Sequence, residues 1–530
     1  MAGAASEGGW TNARSAAGTR SPWLIVGVIS LATFMEVLDT AIANVSLLNI
    51  GGALSVSPDE STWIVTSYLV ANAIVIPISG WLADVIGRKR YYMISVALFT
   101  GASLLCGLAP NINMLILARV LQGIGGGGLA PSEQSILADT FPPSKRGAAF
   151  AAYALVVVVA PTLGPTLGGW ITDNYSWHWI FLINVPVGLV SLFLVQSMMV
   201  DPPVLEKERR TKLKGGLKVD YVGFLLIALG LGCLELTLDR GLREDWFASP
   251  VIITTASIAA TSLIALVIWE LSHKDPIVNL RLFANRNFTI TVMVMLVIGV
   301  VLYGSTQLIP QFLQEVLGYT ATNAGRALTI GGIASLVVMP LAGFLSGKVP
   351  ARFILFPALL VQAGALWNLS HFNSEIAFGN ASMGRLFQAA GLPFLFVTVT
   401  TAAYVGLKPG QTNQASALLN VARNLGGTFG ISYAQTTLAD QAQVHQSNLV
   451  NRLQPLNDVY AGTLANVEGA LRSVGAGAGS ALGTLYQIAL KQANTLAFLD
   501  VYHNLMVFVL IVAPLTLLLR PGKAGAGGGH

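Results

Sequence analysis

Apolar residues run along this chain in blocks of about 20 divided by short polar breaks, and a helix of that length crosses roughly 30 Å of hydrocarbon. The pattern predicts fourteen membrane-spanning helices in the order six, two, six. The first six cover residues 23–48, 61–83, 91–109, 113–137, 147–170 and 179–199. Two follow at 219–238 and 248–271, then six more at 288–309, 323–347, 353–370, 383–405, 413–437 and 501–519. Proline and glycine inside several blocks do not argue against helices, because neighbouring helices in a bilayer satisfy the freed backbone groups.

Composition changes the picture only by excluding a soluble fold. Of 530 residues, 54% are hydrophobic and 10% charged, against about 25% charged in soluble domains. The expected class is an all-α polytopic membrane protein. Its net charge of +5 sits in short loops, which reports topology and not a nucleic-acid partner. Arg88, Lys89 and Arg90 follow the second span, Lys145 and Arg146 the fourth, and Glu206, Lys207, Arg209 and Arg210 lie in the polar linker 201–218 after the sixth. Lys274 and Arg281 follow the eighth, Lys348 and Arg352 the tenth, and Lys408 the twelfth. Every even-numbered exit is basic, so these loops, the N-terminal tail 1–22 (expected uncleaved) and the C-terminal tail 520–530 are assigned to the cytoplasm. Asp59, Glu60, Asp173 and Glu375 lie in opposite loops, and the loop with Arg240 and Arg243 is mixed. The stretch 439–494, polar and interrupted by Gly475–Gly479, is expected on the periplasmic side, as a modest folded structure or a partnerless loop.

An internal repeat organises the spans. Arg119, Gln122 and Gly125 in the fourth recur as Arg385, Gln388 and Gly391 in the twelfth, at an offset of 266 residues. Gly80-Trp-Leu82 recurs as Gly343-Phe-Leu345 at an offset of 263. Agreement between the offsets implies two pseudo-twofold related six-helix bundles, 23–200 and 288–519, with the pair in 219–287 inserted between them.

Candidate chemistry centres on Glu36 and Asp39 in the first span. An acid at mid-membrane costs roughly 2.5–3.5 kcal/mol, so it is rarely kept without a partner or a proton to carry. A spacing of three puts both on one helix face. At 1.5 Å per residue, Arg119 lies within about 5 Å of the depth of Asp39. The two can pair, and exchange between pairing and hydration would let Asp39 bind and release a proton. Glu36, one turn deeper, fits a relay or a contact for a cationic substrate. Arg423, at membrane depth in the thirteenth span, fits a cavity wall, an anion contact or a side chain snorkelling to the interface. Glu133 and Glu235 are weaker candidates, and Glu235, outside both bundles, is given no coupling role. Tyr68, Trp63, Tyr303, Gln307, Trp367 and Tyr404 are candidate cavity walls. The second half lacks acids within its ninth to thirteenth spans except at their ends, favouring neutral, monocationic or weakly acidic lipophilic compounds over divalent cations. Cys106 and Cys233 have no motif spacing, so no metal site or disulfide frame is expected. No nucleophile elbow, phosphate loop or metal cluster points to an enzyme, and no stretch outside the spans reads as a sensor's output domain.

Gly80-Trp-Leu-Ala-Asp84-Val-Ile-Gly87-Arg88-Lys89-Arg90 resembles the cytoplasmic signature loop of the major facilitator superfamily. Ala160-Pro-Thr-Leu-Gly164-Pro165-Thr-Leu-Gly168-Gly169 resembles its antiporter signature. With Leu38-Asp39-Thr40, Asp239-Arg240-Gly241 and Gly318-Tyr319-Thr320, the chain is similar from about 22 to 520 to the EmrB/QacA-type, fourteen-helix drug:proton antiporters. That resemblance implies the major facilitator fold, alternating access and proton-driven export of lipophilic drugs from the bacterial inner membrane, with protons as coupling ion and no cofactor. It also implies a periplasmic adaptor of the EmrA type and an outer-membrane channel of the TolC type, for which 439–494 would be a natural contact. It places Asp39 in the coupling motif. Gly80, Asp84, Gly87, Arg88 and Arg90 form a cytoplasmic gate, in which Asp84 can pair with Arg88 and lie near Gln411 at the start of the thirteenth span. Gly164, Pro165, Gly168 and Gly169 form a pivot where small residues let helices press together. A dedicated exporter of a fatty acid, bile salt or siderophore-like product is the alternative within the same class, and a membrane enzyme or transporter-like sensor the alternatives outside it.

Overall fold

Proline at the first helical position pre-sets its backbone, and Pro22 opens α1 (Pro22–Ala53) in this way. A capping box between Ser57 and Glu60 opens α2 (Pro58–Ile86). Gly87 ends α2 at φ 98°, a left-handed value that favours glycine, and α3 (Arg88–Gly107) starts at once. The computed structural model describes residues 21–199, 219–273, 275–407, 411–452, 458–473 and 481–520. Tail residues 1–20 and 521–530, the linker 201–218, Lys274, Lys408 and Gly475–Gly479 lie outside the described residues.

The fourth block divides into α4 (Ile112–Gly126) and α5 (Leu129–Thr140) across a glycine run. After α6 (Pro143–Asn174), the sixth block divides into α7 (Trp179–Leu182) and α8 (Asn184–Met198). The inserted pair is α9 (Tyr221–Arg240) and α10 (Pro250–Ser272), with Asp220 capping the Gly223 N–H at 2.8 Å. The second bundle holds α11 (Arg286–Glu315), α12 (Ala321–Ser346), α13 (Ala351–Leu369), α14 (Phe378–Ala403) and α15 (Thr412–Arg452). It is completed by α16 (Asp458–Ser473) and α17 (Ala481–Val512).

Among the described residues, twelve candidate spans pass on length and hydropathy alone. The two further predicted spans are α3, which begins with three basic residues, and α15, whose polar residues lower its mean hydropathy. Both are helices packed inside the bundle: α3 against α4 and α8, α15 against α11, α17 and α2. The all-α fold of fourteen crossing helices stands.

The described residues within 439–494 are helical. Helix α15 continues to Arg452, and the last crossing helix begins at Ala481, well before the expected 501. His445 Nε2 meets Asp500 Oδ2 at 2.7 Å and Gln446 Nε2 donates to Tyr486 Oη at 2.8 Å, tying the extensions of α15 and α17 together. The inserted pair also packs against the bundles. Helix α9 lies on α2 and reaches α15, and Trp246 Nε1, just beyond α9, donates to Thr436 Oγ1 at 3.1 Å.

Candidate functional site

Asp39 sits in the middle of α1, 2% exposed, and Arg119 of α4 is fully buried. Arg119 Nη1 donates to Asp39 Oδ2 at 2.6 Å and to Gln122 Oε1 at 2.6 Å, while its Nε donates to the Ile64 carbonyl at 2.9 Å. The other carboxylate oxygen, Asp39 Oδ1, accepts from Gln122 Nε2 at 2.9 Å and Asn184 Nδ2 at 2.6 Å. Gln122 is held in turn by Ser103 Oγ at 2.8 Å. The guanidinium lies over the Tyr68 ring at 4.3 Å and the Phe181 ring at 5.6 Å. Helices α1, α4 and α8 thus place one carboxylate and its donors in a buried core, with Ser103 of α3 behind them. Gln122, Asn184 and Ser103 were given no role from sequence; an asparagine inside the otherwise apolar block 179–199 was the available signal.

Glu36 lies one turn along α1 from Asp39 and turns to a second group. Its electrostatic neighbours are Arg423 of α15 and Asp39, with Asn72 beside its side chain. Arg423 is 6% exposed, flanked by Tyr153 and Tyr303 as well as Glu36, which removes the snorkelling alternative. Tyr303 packs on Gly427, one turn along α15 from Arg423. Asn424 Nδ2 donates to Asn72 Oδ1 at 3.2 Å, so the two halves meet here through side chains. Glu133 of α5 is fully buried nearby and accepts from Thr33 and from Tyr92 Oη, the latter at 3.0 Å. Glu235, set aside from sequence for lying outside the bundles, is buried on α9 and accepts from Thr428 of α15 at 2.8 Å.

The basic end of the bundle is closed by the signature loop. Arg88 pairs with Asp139 and donates to Thr412 Oγ1 at 2.8 Å, and Thr412 donates to Asp139 Oδ2 at 3.2 Å. Asn413 Nδ2, in the first turn of α15, donates to Asp84 Oδ1 at 2.5 Å. A Cβ added at Gly80 would lie 3.0 Å from the Asn413 carbonyl oxygen, so only glycine permits this approach. Lys89 donates to the Gln196 carbonyl at 2.9 Å, and Arg90 is exposed, away from the inter-half contacts. Asp139 was not picked from sequence, although an acid at the basic end of the fourth block was visible.

On α6, Gly164 faces Ala41 and Gly168 faces Ile42, so α6 presses on α1 within one turn of Asp39. Gly169 meets nothing within 4 Å, and Pro165 lies in the same helix.

The candidate cavity residues divide. Tyr68 and Tyr303 adjoin the two charged groups, and Gln307 is exposed on α11. Tyr404 is instead part of the seal, stacked on Phe150 at 5.6 Å with its hydroxyl 2.6 Å from Ser416 Oγ. Trp63 carries Arg240 over its ring at 4.6 Å and lines an apolar groove of about 710 Å³ between α2, α3, α4 and α9. Trp367 lies exposed on α13 beside His371.

Residues 29–431 match the Major Facilitator Superfamily. The chain belongs to the Major Facilitator Superfamily. Within the superfamily it is 36% identical over 505 residues to the multidrug export protein EmrB of Escherichia coli (strain K12), covering 94% of this chain and 96% of that one. It is 36% identical over 513 residues to the fatty acid resistance protein FarB of Neisseria gonorrhoeae, covering 97% and 99%. The probable multidrug resistance protein EmrY of Escherichia coli (strain K12) is 39% identical over 439 residues, covering 83% and 84%. Among solved superfamily structures, the proton:xylose symporter XylE superposes with a TM-score of 0.60 at 14% identity, covering 94% of this chain and 99% of that one. The human organic anion transporter MFSD10 gives 0.58 at 13%, covering 93% and 100%. At such identities the likeness shows the superfamily fold alone. Membership makes this multi-pass membrane protein a transporter and not an enzyme.

Proposed function

We propose that the protein is a proton-driven exporter of lipophilic toxic compounds, working by alternating access in a bacterial inner membrane with both termini in the cytoplasm. The observation that carries this reading is the buried Asp39–Arg119 pair, an ionisable carboxylate held by a complete set of donors in the first spanning helix. Such a group at membrane depth is functional by default. Each inward proton charge supplies about 2.3 kcal/mol per 100 mV, enough to drive useful accumulation outside. Identity to EmrB and EmrY, named for multidrug export and resistance, supports a broad substrate range. The basic loops support the orientation. The helical extension beyond the far end of α15 and α17 is offered as the docking element for a periplasmic adaptor of the EmrA type, which would join the pump to an outer-membrane channel of the TolC type.

A second reading, export of an amphipathic carboxylate such as a fatty acid, rests on Arg423, a buried cation where the halves meet, and on the identity to FarB. The test is proton uptake by proteoliposomes challenged with hydrophobic cations, neutral drugs and fatty acids. Proton-coupled movement of several unrelated compounds supports the first reading, and response to carboxylates alone supports the second. If no compound moves protons, both are wrong.

A further inference from the structure

The residues at positions 39, 36 and 33 mark three successive turns on one face of α1, about 4.5 Å apart along its axis. Asp39 is held by Arg119. Glu36 lies between Asp39 and Arg423 and has one carboxylate oxygen, Oε2, that is buried without a hydrogen-bond partner. Thr33 donates its hydroxyl to Glu133 Oε2, and Tyr92 Oη donates to Glu133 Oε1 at 3.0 Å. Among the described residues, the donors to Glu133 are therefore neutral hydroxyls. Among the same residues, its charged or titratable neighbours are Glu36 on α1, Tyr92 on α3 and Tyr153 on α6, and none of these is a cation.

The depths give the row a direction. Asp39 is the member nearest the far end of the bundle, whereas Glu133 lies on α5, between the glycine break at Gly127–Gly128 and the seal residue Asp139. Glu36 faces one arginine, Arg423, which also neighbours Tyr153, whereas Glu133 faces Glu36 and hydroxyls. Two bare carboxylates would leave one buried negative charge without a cation, which a membrane interior does not tolerate cheaply. A single proton shared by the two removes that charge, and Thr33, one turn along α1 from Glu36, donates its hydroxyl to Glu133.

We propose that Glu133 is the inner station of the proton path: a proton bound at Asp39 passes to Glu36, then to Glu133, and leaves from there when the basic end opens. The proton is neither created nor consumed. It moves from the Asp39 carboxyl to the Glu36 carboxylate, and from Glu36 to the Glu133 carboxylate, each donor becoming a carboxylate as the next is neutralised. This rests on the proton-coupling reading of Asp39, and the experiment separates the two.

The test measures pH-gradient-driven export in proteoliposomes of the full-length protein for Asp39→Asn, Glu133→Gln and Glu133→Asp, together with substrate exchange at equal pH on both sides. The expectation is that Glu133→Gln lowers gradient-driven export by about tenfold or more and flattens its pH profile, and that Glu133→Asp restores part of the rate. A wild-type profile in Glu133→Gln overturns the proposal. So does an equal loss of exchange at equal pH without rescue by Glu133→Asp, which would mark a packing role. If Glu133→Gln does not fold, Thr33→Val and Tyr92→Phe keep the carboxylate and remove its donors. Both should then move the midpoint of the pH profile by about half a unit or more, and an unmoved midpoint in both overturns it. Should Asp39→Asn keep full gradient-driven export, the coupling reading itself fails, whatever Glu133 does.

Discussion

At the scale of single residues, a carboxylate in the membrane interior is defined by the groups that hold it. Asp39 accepts three hydrogen bonds from two other helices, α4 and α8, so replacing it by its near-isosteric amide tests charge and not shape. Asp39→Asn keeps the shape but leaves the Arg119 charge buried without its counter-ion, so it should insert and melt below the parent, while export against a gradient falls by about 100-fold or more, measured as uncoupler-sensitive efflux from reconstituted vesicles. Arg119→Ala should lose stability as well, with side-chain volume removed beside the charge. It strands a buried carboxylate, at a cost of about 3–5 kcal/mol, and should show a lowered melting temperature in detergent before any transport is assayed. The pair was legible because depth along a helix follows from residue count. Its other ligands were not, because depth says nothing about which face of α8 or α4 turns inward, and Asn184 and Gln122 are ordinary polar residues until a neighbour is fixed. Repetition adds a contrast: Gln388 donates to Ser305, which stands at the repeat offset of 266 from Asp39, and Arg385 forms no ion pair among the described residues. The second half copies the scaffold with a hydroxyl in place of the carboxylate.

Elements carry the motion. The first turn of α15 lies on Gly80 and Asp84 of α2, with Arg88, Asp139 and Thr412 completing the seal. Asn413 bonds Asp84 in this closed end, and the proposed alternating access requires that bond to part, so Asp84→Asn should reduce turnover more than substrate binding, read as the ratio of export rate to affinity in the same vesicles. At α6, a side chain on Gly164 would collide with Ala41 of α1. Gly164→Val should therefore cost about 1–3 kcal/mol of packing and suppress export, while Gly169→Ala, which meets open space, should leave it unchanged; melting temperature and efflux check both. Hydropathy located most crossing helices correctly but misplaced the start of the last and took the end of α15 for a loop. Apolar periodicity records contact with lipid or core, and a helix leaving the membrane loses that record without ceasing to be a helix. Tyr404 was misread for a related reason. An aromatic residue near a helix end suits a cavity wall and a closed seam equally well, and its stacking on Phe150 decides for the seam.

For the whole molecule, the repeat in the sequence was the most informative single feature, because it paired the two six-helix halves and set the inserted helices apart before any contact was known. What it left open was the work of the inserted pair. Helix α9 lies on α2 through Thr66 and Asp239 and reaches α15 through Thr428 and Glu235, so it spans both halves. At the far end, removal of 458–473 should leave proton-coupled transport in proteoliposomes intact while reducing adaptor co-purification by about tenfold or more. Retained co-purification would place the adaptor contact elsewhere. Helix α15 is continuous from the seal at Asn413 through Arg423 to the outer hairpin, 41 residues or about 60 Å of rigid rod. A rod of that length is a lever: tilting its inner turn by about 10° swings its outer tip by roughly 10 Å. The mechanical state of the inner seal is thus legible on the opposite surface, where a partner gripping the hairpin would feel each cycle as a displacement.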